Sequence, residues 1–208
     1  MLSYEKYDFY EPNNKISSID INKALNELIL KENIHSNFEI KHISSIDNIY
    51  SYSAVFINSE KDFDSNQDKI LIITNNKDFI TKYKNCVLVN DINKSFKRLA
   101  DYIYLHDDLK NYIDEFDLIN HSSISKFAKI HPSVKIGRNC LIGRGVSIGK
   151  NSIVKNNVVI KNSIISENVF ISDNSTIGCT GFGFDLKNMG AVDLSPHIGI
   201  VHIDDNVS

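Results

Sequence analysis

No apolar run in this sequence approaches about 18 residues, the length a membrane-spanning helix requires. The start, MLSYEKYDFYEPNNK, places acids and tyrosines where a secretion signal needs a basic segment followed by an apolar one. These two absences predict a soluble protein kept in the cytoplasm. Basic excess is missing too: 23 Lys and Arg stand against 26 Asp and Glu, a formal net charge of −3. That balance leaves no broad positive surface for nucleic acid or anionic lipid. Cysteine is scarce, and the three present, Cys86, Cys140 and Cys179, lack metal-ligand spacing. They are read as buried thiols rather than as redox or metal groups.

With 42% hydrophobic residues over 208 positions the chain can build a sizeable core, in one large domain or two modest ones. What the sequence does have is a period. Aliphatic residues recur every six positions at Ile124, Ile130, Ile136, Ile142, Ile148, Val154 and Ile160, then after a one-residue contraction at Ile165, Ile171 and Ile177. On an α-helix a step of six turns a side chain by about 240°, scattering this series over three faces, so a helix cannot use it.

A second series, Ala128, Val134, Cys140, Val146, Ser152, Val158, Ile164, Val169 and Ser175, lies four residues after each aliphatic and is small or β-branched. Before most of its members stands a residue that tolerates a left-handed backbone: Asn139, Gly145, Asn151, Asn157, Asn168 and Asn174. Each hexad thus reads strand, then corner, which is the signature of a parallel β-helix whose coils bury their aliphatics only against one another.

Upstream the pattern changes. Ile21, Ala24, Leu25, Leu28 and Ile29 form a helical stripe with Ser18 or Asp20 as cap and Asn33 as stop. Short β-rich runs follow at 38–43, 54–58, 69–74 and 86–90 and predict one small sheet. A second helix is expected from Asp91 to about His106, and a short one over Leu109–Phe116. The expected organisation is an α/β domain over residues 1–106, a linker over 107–122 and a β-helix over 123–208 interrupted by a loop at 178–200. The repeat resumes at Ile203 with Val207 at the inward position. Because the chain stops in mid-hexad, further coils and a cap are expected beyond Ser208.

Two segments are more specific than the repeat. IGCTGFGF at 177–184 and SPHIGIVHIDDNV at 195–207 resemble the UDP-3-O-acylglucosamine N-acyltransferases of lipid A biosynthesis. That family carries a G-x-x-G-F-G-F loop, a stretch containing lysine and tryptophan, and then a pattern close to I-P-Q/H-x-G-x-V-x-I-G-D-x-V. Gly178, Gly181, Phe182, Gly183, Phe184, Pro196, His197, Gly199, Val201, Ile203, Asp205 and Val207 match it in order and spacing, and Ile130–Ser133 matches the I-H-P-S opening of the family's repeat. The sequence departs from it in having no Trp, with Val192 in that stretch, and in placing Asp204 at the glycine of the I-G-D step.

The resemblance implies a left-handed β-helix behind a uridine-binding α/β domain, assembled as a homotrimer. It implies transfer of a 3-hydroxyacyl chain from acyl carrier protein to the 2-amino group of UDP-3-O-acylglucosamine. No cofactor is implied beyond the phosphopantetheine that carries the acyl donor. In the uridine domain the family pattern is met in chemistry but not in spacing by Phe56, Asn58, Lys61 and Phe63. A pyrimidine could stack between Phe56 and Phe63 with Asn58 reading its edge, although Phe56 also reads as a buried strand residue. Phe182, Phe184 and His197 are the expected contacts of the loop with substrate.

The family's general base is a histidine in an I-A-H-N hexad about two coils further on, and nothing before Ser208 matches it. No catalytic residue is therefore assigned. His131 reads as structural, His202 as solvent-facing, and His35, His42, His106 and His121 lie outside the hexads. Other readings stay open: an acetyl-CoA-dependent N-acetyltransferase of a UDP-amino sugar, or a β-helix scaffold without catalysis. A γ-type carbonic anhydrase needs three zinc-ligating histidines, and no suitably spaced set occurs on the coils.

Overall fold

The structure, a computed structural model, describes residue 9 and residues 14–47, 49–59, 69–104, 115–181 and 196–208. The chain divides into two compact units, Pro12–Leu105 and Met1–Glu11 together with His106–Ser208.

In the first unit the β-rich runs become strands β1 (Ile16–Ser17), β2 (Ile29–Ile34), β3 (Glu39–Ile40), β4 (His42–Ser44), β5 (Ser53–Ile57), β6 (Ile70–Thr74) and β7 (Asn85–Val89). Five of them form one sheet in the order β2-β7-β6-β5-β4, parallel except for the antiparallel β2–β7 pair. Strands β1 and β3 pair separately. Alternation along β5 to β7 sends Ala54, Leu71, Ile73, Val87 and Val89 to one face, where they meet Leu25, Leu99 and Ile103. Val55, Ile57, Ile70, Ile72, Cys86 and Leu88 line the other face against Phe79, Ile80 and Tyr83. Strands buried on both faces read as continuous apolar runs, which is why ILIIT and CVLV carry no polar alternation.

The first expected helix is cut short. Only Asn22–Leu25 is α-helical (α1), flanked by 3₁₀ turns, and Ile29 already belongs to β2. Asn26 sits at φ 37°, a conformation that interrupts a right-handed helix, while Ile21, Leu25 and Leu28 keep their buried places. Neither Ser18 nor Asp20 caps α1. A short helix α2 (Phe79–Lys82) appears where none was expected, and α3 (Ile92–Ile103) stops before His106. As expected, Asp91 caps α3, its Oδ1 accepting from the backbone N–H of Lys94 at 3.0 Å. The expected helix at 109–116 lies outside the described residues except for its end, and there Phe116 is extended.

In the second unit the stretch expected as linker contains a strand, β8 (Phe116–Ile119). It pairs antiparallel with β9 (Ser122–Ser125) through a tight turn whose central residues, Asn120 and His121, both have positive φ. From there the chain coils through short parallel strands: β10 (Lys129–Ile130), β11 (Lys135–Ile136), β12 (Leu141–Ile142), β13 (Ser147–Ile148), β14 (Ile153–Val154), β15 (Val159–Ile160), β16 (Ser163–Ile165), β17 (Phe170–Ile171), β18 (Thr176–Ile177) and β19 (Val201–Ile203). Every third strand stacks, giving three sheets: β10-β13-β16-β19, β11-β14-β17 and β8-β9-β12-β15-β18.

The register is the one the period predicts: Ile124 opposes Ile142, which opposes Ile160, which opposes Ile177. Ile142, Val146, Val158 and Ile160 are completely buried. The corners are left-handed at Asn139, Asn151, Asn157, Asn168 and Asn174, with φ between 55° and 63°, and at Gly145. Side-chain oxygens staple successive corners: Asn156 Oδ1 accepts from Arg138 N at 2.9 Å and Asp173 Oδ1 from Asn156 N at 2.9 Å. The one-residue contraction falls at the corner Asn162, so Ser163, not Ile164, takes the interior place opposite Val146. Ile164 stands opposite Ser147, outside the coil's interior cluster, although it too is buried.

Candidate functional site

The repeat is interrupted at Gly178. Its φ is +69°, and a Cβ there would fall on the carbonyl oxygen of Lys161 and against the Ser163 hydroxyl. Only glycine lets the chain leave the coil at this point. Its carbonyl accepts from Asn162 Nδ2 at 3.2 Å, which fixes the exit to the corner where the contraction lies.

The two described ends of the inserted segment lie together. A Cβ on Gly181 would sit 3.4 Å from Nε2 of His197, so the glycine lets the imidazole close on the backbone. His197 is exposed. Phe182 and Phe184 lie outside the described residues, so of the three expected loop contacts His197 alone can be placed.

The chain re-enters the coils in register. Val201, His202 and Ile203 pair with Ser163, Ile164 and Ile165, and Asp205 Oδ1 accepts from Glu167 N at 2.8 Å, repeating the staple of the other corners. His202 faces outward, as expected. It nonetheless makes a constellation that the sequence did not reveal: its Nε2 lies 3.3 Å from Ser166 Oγ, and its Nδ1 lies 3.7 Å from Asp204 Oδ1. Ser166 comes from the preceding coil, 36 residues away, so spacing alone gives no sign of the contact.

The order Ser, His, carboxylate suits nucleophilic chemistry, but the surroundings do not. Asp204 is 85% exposed, and the neighbouring backbone donors are taken, Ser166 N by Ile203 O and Glu167 N by Asp205. Without excluded water or a free pair of donors for an oxyanion, the set is a polar link holding β19 to β16.

Among the other described histidines, His131, His121 and His35 are structural or exposed. Ser133 donates its backbone N–H to Nδ1 of His131 at 3.2 Å and places its hydroxyl 2.8 Å from the same nitrogen, while that hydroxyl accepts from Asn151 N at 2.9 Å. The I-H-P-S turn is therefore a corner staple. His121 is a turn residue, and His35 hydrogen-bonds Asn33 at 2.9 Å.

In the first unit the candidate uridine residues are not gathered. Phe56 is half-buried on the α3 face of the sheet, its ring meeting Phe96 edge-on at 5.4 Å. This contact gives Phe56 a packing role. Asn58 is exposed just past the carboxyl end of β5, the side of an open α/β sheet where ligands bind. Phe63 and Lys61 lie outside the described residues.

Two thiols are buried as expected, and burial pushes that of Cys86 up to about 12, so it stays protonated and unreactive. Cys140 packs inward and donates to Lys155 O at 3.0 Å. Cys179 differs. It is exposed, because the chain has already left the coil at Gly178. Among the described residues no cluster of His, Cys, Asp and Glu could hold a metal ion, and no helix is long and apolar enough to cross a membrane.

Comparison with known proteins agrees with the coils. Residues 124–184 match the family model described as GMPPB C-terminal domain. The matched segment begins at the first inward isoleucine of β9 and ends in the inserted loop. No curated protein matches the chain.

Proposed function

We propose that this chain belongs to a cytoplasmic N-acyltransferase with left-handed coils. The enzyme moves a 3-hydroxyacyl chain from acyl carrier protein to the 2-amino group of UDP-3-O-acylglucosamine. The observation that carries the reading is the insertion. A glycine-gated loop with the G-x-x-G-F-G-F sequence leaves the coil at Gly178, brings His197 against Gly181, and returns in register at Val201–Ile203.

Chemically the reaction needs a base for the amine, because an ammonium has no lone pair with which to attack a thioester. None of the placed histidines has that setting: His131 Nδ1 is occupied by Ser133, and His202 is held between Ser166 and Asp204. On the resemblance of its loop, His197 is assigned to substrate contact, and no residue of this chain is assigned proton transfer.

Outward apolar ladders support the homotrimer. Leu141 and Val159 are neighbours on one face, and Ile153 and Phe170 on the next, with Phe170 exposed. Such rows suit burial against a second copy.

The test is calorimetric titration with UDP-3-O-acylglucosamine and with UDP, beside a mass-spectrometric assay of acyl transfer from acyl carrier protein. Tighter binding of the acylated nucleotide, weakened by His197→Ala, supports the proposal. Equal binding of both nucleotides, unchanged in that variant, removes the loop from substrate recognition.

A second reading is favoured by the family match, which covers the coils and not the sheet of the first unit. In it the coils are a non-catalytic scaffold module. The same titrations separate the two, since a scaffold has no reason to prefer the acylated sugar.

A further inference from the structure

At the amino-terminal edge of the parallel sheet, opposite the edge where Asn58 lies, the residues that immediately precede β4, β5 and β6 are Lys41, Tyr52 and Lys69. They form one row. Tyr52 N donates to Lys69 O at 2.7 Å and Lys41 N donates to Tyr52 O at 2.8 Å, extending the strand ladder by one residue. Tyr52 and Lys69 both hold left-handed backbones, φ 64° and 68°, which side chains with a Cβ seldom adopt. Nothing in the ladder itself calls for a large aromatic at such a position, and glycine would hold it without strain.

The side chains of these residues converge. The Lys69 ammonium lies 4.6 Å from the centre of the Tyr52 ring and that of Lys41 lies 5.1 Å from it. Lys69 Nζ also stands 2.6 Å from the Tyr52 hydroxyl. An ammonium can only donate, so the phenol oxygen must accept, and the phenolic hydrogen is left to donate to a third group. Lys41, Tyr52 and Lys69 thus present donors alone. Lys23, Lys126 and Lys150 do find carboxylates, in Asp20, Glu115 and Glu167. Among the described residues no carboxylate pairs with Lys41 or Lys69, in a chain whose formal net charge is −3.

Two ammoniums without a carboxylate and a phenolic hydrogen converge here, an arrangement that suits a ligand with several acceptor oxygens and negative charge. We propose that Lys41, Tyr52 and Lys69 form a binding site for a phosphate-type oxyanion. The site is distinct from the nucleotide edge of the sheet and does not depend on the acyltransfer reading. The oxyanion can be free phosphate or the phosphate of a larger molecule such as a nucleotide, and the experiment has an arm for each.

The full chain, labelled with ¹⁵N, is titrated with inorganic phosphate and, separately, with UMP while backbone amides are followed by NMR. The expected result is saturable movement of the Lys41, His42, Tyr52 and Lys69 amides by phosphate, with a Kd of about 1 to 10 mM for so small and exposed a site. Tyr52→Phe keeps the ring and removes only the hydroxyl; it should weaken binding by about three- to tenfold, and Lys41→Gln with Lys69→Gln should abolish it. Amide dispersion in each variant reports folding independently. If UMP moves the same amides with similar affinity, the site reads the phosphate of either source. If UMP moves Asn58 and its neighbours while phosphate moves the lysine row, the two sites are separate and both stand. No saturable movement of the lysine row by either ligand, or movement that persists in the double variant, overturns the proposal, whatever happens at Asn58.

Discussion

Ile165 lies in register with Ile203 although the inserted segment separates them. A parallel ladder depends on which residues meet, not on how much chain intervenes, so the insertion costs the coil only loop closure, which grows slowly with length. The exit must be exact in backbone shape, and Gly178 supplies that shape. Gly178→Ala, with φ +69° and a Cβ driven onto Lys161 O, should lose about 1 to 3 kcal/mol or more by urea denaturation. Gly199→Ala is the control, since nothing lies within 4 Å of its Cβ position, and its cost should stay within about 0.5 kcal/mol.

The interior face of the hexads is tested by neighbours in sequence. Ile142 is completely buried between Ile124 and Ile160, so Ile142→Ala should cost about 2 to 5 kcal/mol through lost burial and a cavity. Arg144 faces outward, but its guanidinium lies 3.8 Å from the centre of the Phe127 ring, a contact worth about 0.5 to 2 kcal/mol. Arg144→Ala should therefore be milder yet measurable. Equal losses in chemical denaturation would mean the inward face is misassigned.

Acid should loosen the corners. The Asn156 backbone N–H first, and then its side-chain amide, hold the Asp173 carboxyl below the usual carboxylate range. A depressed folded-state pKa means that this stabilisation is present above the unfolded value, near 3.9, and is lost as pH falls through the lower folded value. Melting temperatures from about pH 5 to pH 2 should fall less steeply in Asp173→Asn than in the parent. Parallel curves would show that the staple does not feel the charge.

The coils were legible because each interior isoleucine meets another isoleucine or Val154, so periodicity alone carried their register. Ile164 was misplaced because a contraction can fall at the corner or in the strand, and only the left-handed Asn162 shows which. The helical stripe from Ile21 failed for a related reason. Ile21, Leu25 and Leu28 are buried as a helix would bury them, yet Asn26 turns the chain and the β-branched Ile29 joins the sheet. The link from Ser166 to His202 and the row Lys41, Tyr52, Lys69 were invisible for a third reason: each joins residues that meet only through strand register.

The proposed trimer makes a demand on Phe170, which is 41% exposed beside Ile153 on an outward ladder. If copies bury this ladder, Phe170→Glu should lower the mass seen by light scattering at micromolar concentration while the far-ultraviolet spectrum stays unchanged. The inward neighbour Ile171 is the contrasting position. Ile171→Glu should unfold the coil, because an unpaired carboxylate cannot be accommodated in that interior.

The uridine reading separates Phe56 from Asn58. Phe56 packs on Phe96, so Phe56→Ala should destabilise the first unit whether or not a nucleotide binds there, by up to about 3 kcal/mol for a half-buried ring. Loss of nucleotide binding in that variant would then be uninformative by itself. Asn58 is exposed and outside the sheet ladder, so Asn58→Ala should leave the unfolding midpoint within about 0.5 kcal/mol of the parent. If Asn58 reads the pyrimidine edge, the variant should weaken UMP binding by about 5- to 30-fold, the loss of one or two net hydrogen bonds. The base supplies that interaction and the phosphate does not. The decisive comparison is therefore UMP against ribose 5-phosphate by calorimetry: Asn58→Ala should narrow the gap between them. A gap of the same size in parent and variant would place uridine recognition elsewhere in the chain.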